Sequence, residues 1–172
     1  MKKDVVAGLG GIGLPIYKII SRVYPVQGYD IDPNQIPNNK KTIEHYPTRF
    51  LHVCIPYNQS FLGNVITLNK KFSPNAIVIH STIKPSTTEK IQKKLSVPTI
   101  YSATRGVHKR MTHDLRRYTK FFAIDPKTPN SKLTSKLYVQ LMNKCGIKTK
   151  KISNPITLEL SKIICDTSYY GW

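Results

Sequence analysis

The sequence predicts an α/β fold: a doubly wound, mostly parallel sheet of about six to seven strands, flanked by helices. Three observations carry that expectation. Short apolar runs recur along the chain with amphipathic, helix-length stretches between them, the order of βαβ units. The first run, Val5-Val6-Ala7, leads into Gly8-Leu9-Gly10-Gly11-Ile12-Gly13. A second run closes on an acid at Gly28-Tyr29-Asp30. Strand, glycine turn, helix, strand and acid in that order open a Rossmann-like unit.

Each element follows from its residues. A first strand is expected at about Asp4–Ala7 and a first helix at Ile12–Val23. Pro15 falls in that helix's first turn, where a missing N–H costs little. The second strand is Val26–Asp30. Residues Pro33–Thr48 carry Pro33, Pro37 and Pro47 with no apolar period, so a loop with at most a turn or two of helix is expected. Phe50–Pro56 reads as the third strand and Gln59–Phe72 as a helix. Ala76–Ser81 is nearly all apolar and reads as a central strand. Ser86, with Glu89 three residues on, forms a capping box for a helix running to about Leu95. Thr99–Ser102 is a short strand. Ala103–Arg117 begins as a loop and turns helical. Lys120–Ile124 is a sixth strand, Ser131–Lys144 a helix stopped by Gly146, Ile147–Lys151 a last strand and Pro155–Tyr170 a final helix.

The chain's 172 residues, 40% of them hydrophobic, suffice for one domain with a real core. No stretch approaches the ~20 apolar residues of a membrane span. The opening Met1-Lys2-Lys3-Asp4 leads straight into a strand, so a cytoplasmic protein is expected. Cys54, Cys145 and Cys165 lie far apart in apolar runs and read as reduced, buried thiols. The five histidines show no zinc spacing, so no metal is expected. A net charge of +18 attracts polyanions. Its basic pairs, from Lys40-Lys41 to Lys150-Lys151, are spread along the chain, which favours a solvated surface over a nucleic-acid groove.

The glycines point to a dinucleotide. Gly8 permits the sharp turn at the strand's end, Gly10 leaves room for a pyrophosphate, and Gly13 lets helix and strand pack closely. Gly11 and Ile12 complete the loop, and the helix N-terminus offers free N–H groups to phosphate. Asp30, 17 residues past Gly13, suits the ribose hydroxyls and favours NAD over NADP. Lys40, Lys41 and Arg49 are the cations near enough in sequence to alter that preference.

These residues, together with Val53-Cys54-Ile55-Pro56, resemble the start of the UDP-glucose/GDP-mannose dehydrogenase family. His80-Ser81-Thr82-Ile83-Lys84-Pro85-Ser86-Thr87-Thr88 is similar to that family's Ser-Thr-hydrophobic-x-Pro-Gly-Thr-Thr segment. Glu159-Leu160-Ser161-Lys162 resembles the opening of its long central helix. The resemblance implies an NAD-binding domain over residues 1–154 and the beginning of the central helix over 155–172. It implies Pro56 and Thr82 on the nicotinamide side, and Thr82 positioning a water or a substrate hydroxyl. It makes Lys162 the cation that stabilises an oxyanion. The substrate is then a nucleotide sugar, with Arg105, His108 and Asp166 as candidate contacts. Chains of that family pair through the central helix, so a homodimer is expected.

The departures are specific. The family's Lys-x-x-x-Asn is Lys162-Ile163-Ile164-Cys165-Asp166 here, and its Ser-Pro-Glu is Ser102-Ala103-Thr104. The family's second domain, with its nucleophilic cysteine, has no counterpart in these 172 residues. Cys165, preceded by Ile163 and Ile164, reads as packing. An NAD(H)-binding domain incomplete as an enzyme on its own is therefore expected. The alternatives are a non-catalytic basic module that binds nucleic acid, and an NAD(H)-sensing regulator.

Overall fold

The computed structural model of the chain describes residues 1–37, 43–106 and 108–170. Among them are β1 (Lys3–Ala7), α1 (Gly13–Ile20), β2 (Val26–Tyr29), β3 (Thr48–Val53), α2 (Phe61–Phe72), β4 (Ala76–Ile79) and α3 (Thr87–Leu95). They continue with β5 (Thr99–Tyr101), α4 (Met111–Arg117), β6 (Lys120–Phe122), α5 (Ser131–Lys144), β7 (Thr149–Lys151) and α6 (Pro155–Tyr170). Among its described residues, the loop expected after β2 holds a 3-10 turn at Pro33–Gln35.

Five strands form one parallel sheet in the order β2-β1-β3-β4-β5. The fold is Rossmann-like α/β, as expected. β6 and β7 pair with each other in a separate parallel ladder. The single antiparallel bridge Tyr101–Ala123 joins that ladder to β5. The seven strands are thus divided five and two. β6 and β7 are only three residues long.

The sheet is covered on both faces, which is why β1, β3 and β4 read as unbroken apolar runs. Val6, Phe50, Val78 and Ile100 point to one face, beneath Ile16 and Ile20 of α1, Leu115 of α4 and Tyr138 of α5. Val5, Leu51, Val53 and Ile77 point to the other, beneath Val65 of α2, Ile91 of α3 and Leu158 of α6. The alternation follows from the period of two along a strand.

A polar string runs through the first face. Asp4, fully buried, accepts from Arg49 Nε (2.9 Å) and Nη2 (2.6 Å) and from the Phe50 amide (3.2 Å). Burial alone would raise its pKa, but His52 and Arg49 outweigh that and hold the carboxyl below its ordinary value. His52 Nδ1 lies 3.0 Å from His80 Nε2, with the rings stacked. His52 is level with Val78, so His80 is its diagonal neighbour on the same face. Burial, then the nearby Lys120 and His52, push His80 well below its usual pKa. It is a core histidine, as its place in a central strand suggested.

The N-terminus of α3 is capped from an unexpected direction. Ser86 has a left-handed backbone (φ 67°) and makes no side-chain cap. Glu89 instead pairs with Lys93 at 2.6 Å. The Ser86–Glu89 capping box is therefore absent, because the left-handed turn takes the Ser86 hydroxyl away from the helix's first N–H groups. Glu159 of α6, fully buried, does the capping. It accepts from the Ser86 amide (2.6 Å), the Thr88 amide (2.9 Å) and Thr88 Oγ1 (2.6 Å).

Two outcomes test these supports. Ser86→Gly relieves a left-handed serine and should raise stability by ~1 kcal/mol. Glu159→Ala leaves buried donors unpaired and should lower it by roughly 3 kcal/mol or more, both read by urea denaturation. His80 binds no proton in the folded state where the unfolded chain does. The contribution of His80 to stability should therefore be full above about pH 6.5 and fall as pH drops below it. His80→Asn should flatten that slope.

Candidate functional site

The order β2-β1-β3 means that the chain departs to opposite sides of β1. Ligand crevices of α/β sheets open at such a point, beyond the strands' carboxyl ends. A cavity of about 770 Å³ lies there, within the size range of ligand pockets. Gly8, Gly10, Gly11, Ile12 and Asp30 line one side, and Pro56 and Thr82 the other.

The three motif glycines have different reasons to be glycine. Gly8 has φ +88°, and a Cβ there would sit 2.9 Å from the Cys54 carbonyl. A Cβ on Gly13 would lie 1.7 Å from the Gly8 oxygen, an impossible approach. Gly10 meets no protein atom within 4 Å of where its Cβ would be. Protein packing explains Gly8 and Gly13. It does not explain Gly10, whose missing side chain leaves the crevice open. α1 begins next to this loop with no side-chain cap and no acid in its first turn, an arrangement suited to an anion.

Asp30 sits beside the glycine loop. Its Oδ2 accepts the Leu9 amide at 2.6 Å and its Oδ1 accepts the Asp32 amide at 3.0 Å. The carboxylate is thereby pinned against the glycine loop, with acceptor capacity to spare. Arg49 is engaged elsewhere: it pairs with Asp4 and lies over the Tyr24 ring at 3.6 Å. Lys40, Lys41 and the C-terminal Gly171-Trp172 lie outside the described residues, as do the side chains of His108, Tyr169 and Tyr170.

At the far end, Ser81 Oγ donates to the Ile55 carbonyl (2.6 Å) and ties β4's end to β3's. Thr82 Oγ1 donates to Asp166 Oδ2 at 3.1 Å. Lys162 Nζ pairs with Asp166 Oδ1 one turn earlier on α6. The Lys162 and Asp166 side chains are 17% and 33% exposed. A second cavity of about 170 Å³ adjoins α6, lined by Arg105, Lys120, Lys162 and Cys165 among others. Lys120 donates to the Ser102 carbonyl (2.8 Å), the Ala103 carbonyl (3.3 Å) and Thr104 Oγ1 (3.3 Å). Burial, helped by the Lys162 charge, brings its pKa down to about 7.

The structure thus gathers the glycine loop, Asp30, Pro56 and Thr82 on one crevice, and links Thr82 to Asp166 and Lys162. Arg105 lies on the neighbouring cavity. His113 contacts Asp114 at 3.3 Å. Burial raises the Cys54 thiol to about 12, and Cys54 lines the crevice as an un-ionised group. Sequence reading missed Asn64 and Thr67 of α2, which also line the crevice, and Lys71, whose Nζ lies 4.2 Å from the centre of the Tyr29 ring. Their signal was the spacing 64, 67, 71, one polar stripe on a helix. Among the described residues, no cluster of three or more His, Cys, Asp or Glu suits a metal ion, and no helix is long and apolar enough to cross a membrane.

The glycine geometry is directly testable. Gly13→Ala should lower the melting temperature by many degrees or prevent folding, because backbone occupies the new atom's place. Gly10→Ala should melt close to the parent, since the added methyl meets open space.

No family model matches the chain, and no curated protein matches its sequence. Solved structures do match its fold. UDP-D-ManNAc dehydrogenase from Pyrococcus horikoshii superposes with a TM-score of 0.77 at 20% identity, over 96% of this chain and 50% of that one. UDP-N-acetylmannosamine dehydrogenase from Staphylococcus aureus gives 0.75 at 16% identity, over 97% and 51%. Prephenate dehydrogenase from Aquifex aeolicus, solved in complex with hydroxyphenyl propionate and NAD+, gives 0.65 at 14% identity, over 97% and 69%. The chain spans about half the length of the first two. Its fold is that of the Rossmann-like portion of such dehydrogenases.

Proposed function

We propose that this chain is the NAD(H)-binding domain of a dehydrogenase that acts on a nucleotide sugar, and that it needs further protein to complete its substrate site. The carrying observation is Gly10. Its side-chain direction is free of protein atoms and opens on a crevice that the Asp30 carboxylate also lines, beside the glycine loop. A dinucleotide accounts for both features.

In this reading Gly8, Gly10, Gly11, Ile12 and Gly13, with the first turn of α1, hold the pyrophosphate. Asp30 takes the adenosine ribose. Pro56 and Thr82 border the nicotinamide, and the bound NAD+ supplies a hydride acceptor there. Lys162 stabilises an oxyanion, and Arg105, His108 and Asp166 contact substrate. Residues 1–154 form the cofactor domain, and 155–172 begin the helix that follows it. The structural likeness to UDP-sugar dehydrogenases over nearly the whole chain supports the nucleotide-sugar assignment. Ile156, Leu160 and Ile164 are exposed at a four-residue spacing on α6, which supports pairing of two chains through that helix.

Calorimetric titration decides the cofactor. NAD+ and NADH should bind the parent chain, NADP+ should bind more weakly, and moderate salt should change NAD+ affinity little. A steep loss with salt would instead mark polyanion binding. Gly10→Val should keep its circular dichroism spectrum and lose NAD+ binding. A folded Gly10→Val chain that still binds NAD+ as the parent does overturns the assignment.

A further inference from the structure

Asp166 stands where the resembling family has asparagine, and the structure gives it two partners with different chemistry. Thr82, at the end of the crevice, donates to one carboxylate oxygen at 3.1 Å. Lys162, at the second cavity, pairs with the other. Thr82 lines the large cavity and Lys162 the small one, and Asp166 bonds to both side chains.

The other described carboxylates near these cavities are committed elsewhere. Glu159 is fully buried and takes three donors from the α3 turn. Asp114 is bound by Arg110 and His113. Asp30 lies beside Leu9 at the opposite end of the crevice. Asp166 is a third exposed and has acceptor positions beyond the two in use.

We propose that Asp166 is the proton acceptor of the dehydrogenase reaction, with Thr82 as its relay to substrate. The inference rests on the NAD(H) reading above. In an alcohol oxidation the carbinol carbon gives up a hydride with its electron pair to the oxidised nicotinamide, and C–O becomes C=O. The hydroxyl proton passes to Thr82 Oγ1, whose own proton moves to Asp166 Oδ2. The alcohol is oxidised, the nicotinamide is reduced, and Asp166 holds one proton that it then returns to solvent. Thr82 is already oriented for the second transfer, since its hydroxyl donates to the carboxylate. Lys162 pairs with Asp166 before the reaction and offers a positive charge to the developing oxyanion. The pair also keeps the site neutral next to a ring that is cationic only when oxidised.

That charge arrangement gives a test needing no substrate. Calorimetry measures the affinities of the full chain for NAD+ and NADH. Asp166→Asn leaves Lys162 unbalanced and should weaken NAD+ relative to NADH by about tenfold. Lys162→Met should shift the ratio the other way. A pair that merely fastens α6 leaves the ratio unchanged. If the parent binds NAD+ and both variants keep its ratio, the role of Asp166 is overturned and the cofactor reading stands. If the parent binds neither nucleotide, the cofactor reading itself fails. Should Asp166→Asn not fold, Lys162→Met still decides.

Discussion

One buried carboxylate sets the register of the site. Glu159 accepts three hydrogen bonds at the start of α3 and so fixes α6 against the turn that leaves β4. A side chain buried there without those donors would carry a large desolvation penalty. With them, it is held at one position. Lys162 and Asp166 follow on the same side of the helix at spacings near one and two turns. Thr82 lies just before the capped turn. The contact between Thr82 and Asp166, 84 residues apart in sequence, is a geometric result of the anchor. Ser86 accepts a left-handed backbone to make the same turn, at the position where the resembling family has glycine.

The crevice depends on a different kind of constraint. Gly13 is forced by the Gly8 carbonyl and Gly8 by its own positive φ, and Cys54, just past β3, closes on both. Parallel pairing of β1 with β2 and β3 then carries Asp30 and Pro56 to the mouth. Nothing in that half of the site requires α6. The glycine-loop cradle and the Thr82–Asp166–Lys162 group thus have separate supports.

What was legible in the sequence follows from this division. The glycine loop and Asp30 were legible because their constraint is local and recurs with a fixed spacing. Helices α5 and α6 matched their expected spans, because an apolar period and a breaker mark both ends. The capping of α3 was misread. Ser86 and Glu89 carry the right residue types, and only the backbone angle at Ser86 disqualifies them. Glu159 as the true cap was beyond sequence reasoning, since no local pattern links residues more than 70 positions apart. The division of the strands into five and two was hidden for a related reason. Strands of three residues carry too little pattern to fix which sheet they join. The pairing of His52 with His80 was readable only once strand register was known.

The separation of supports has a consequence for how the molecule comes apart. α6 is the terminal element of the described fold, and most of its surface is open to solvent. Its docking relies on Leu158 and the Glu159 clamp, whereas the cradle is built on central strands. Helix ends and peripheral helices open at lower free energy than a sheet core. A transient release of α6 therefore withdraws Lys162 and Asp166 together while the glycine loop and Asp30 stay in place. Under mild denaturing stress the domain would pass through a form that retains its glycine-lined hollow but lacks the Lys162–Asp166 pair beside Thr82.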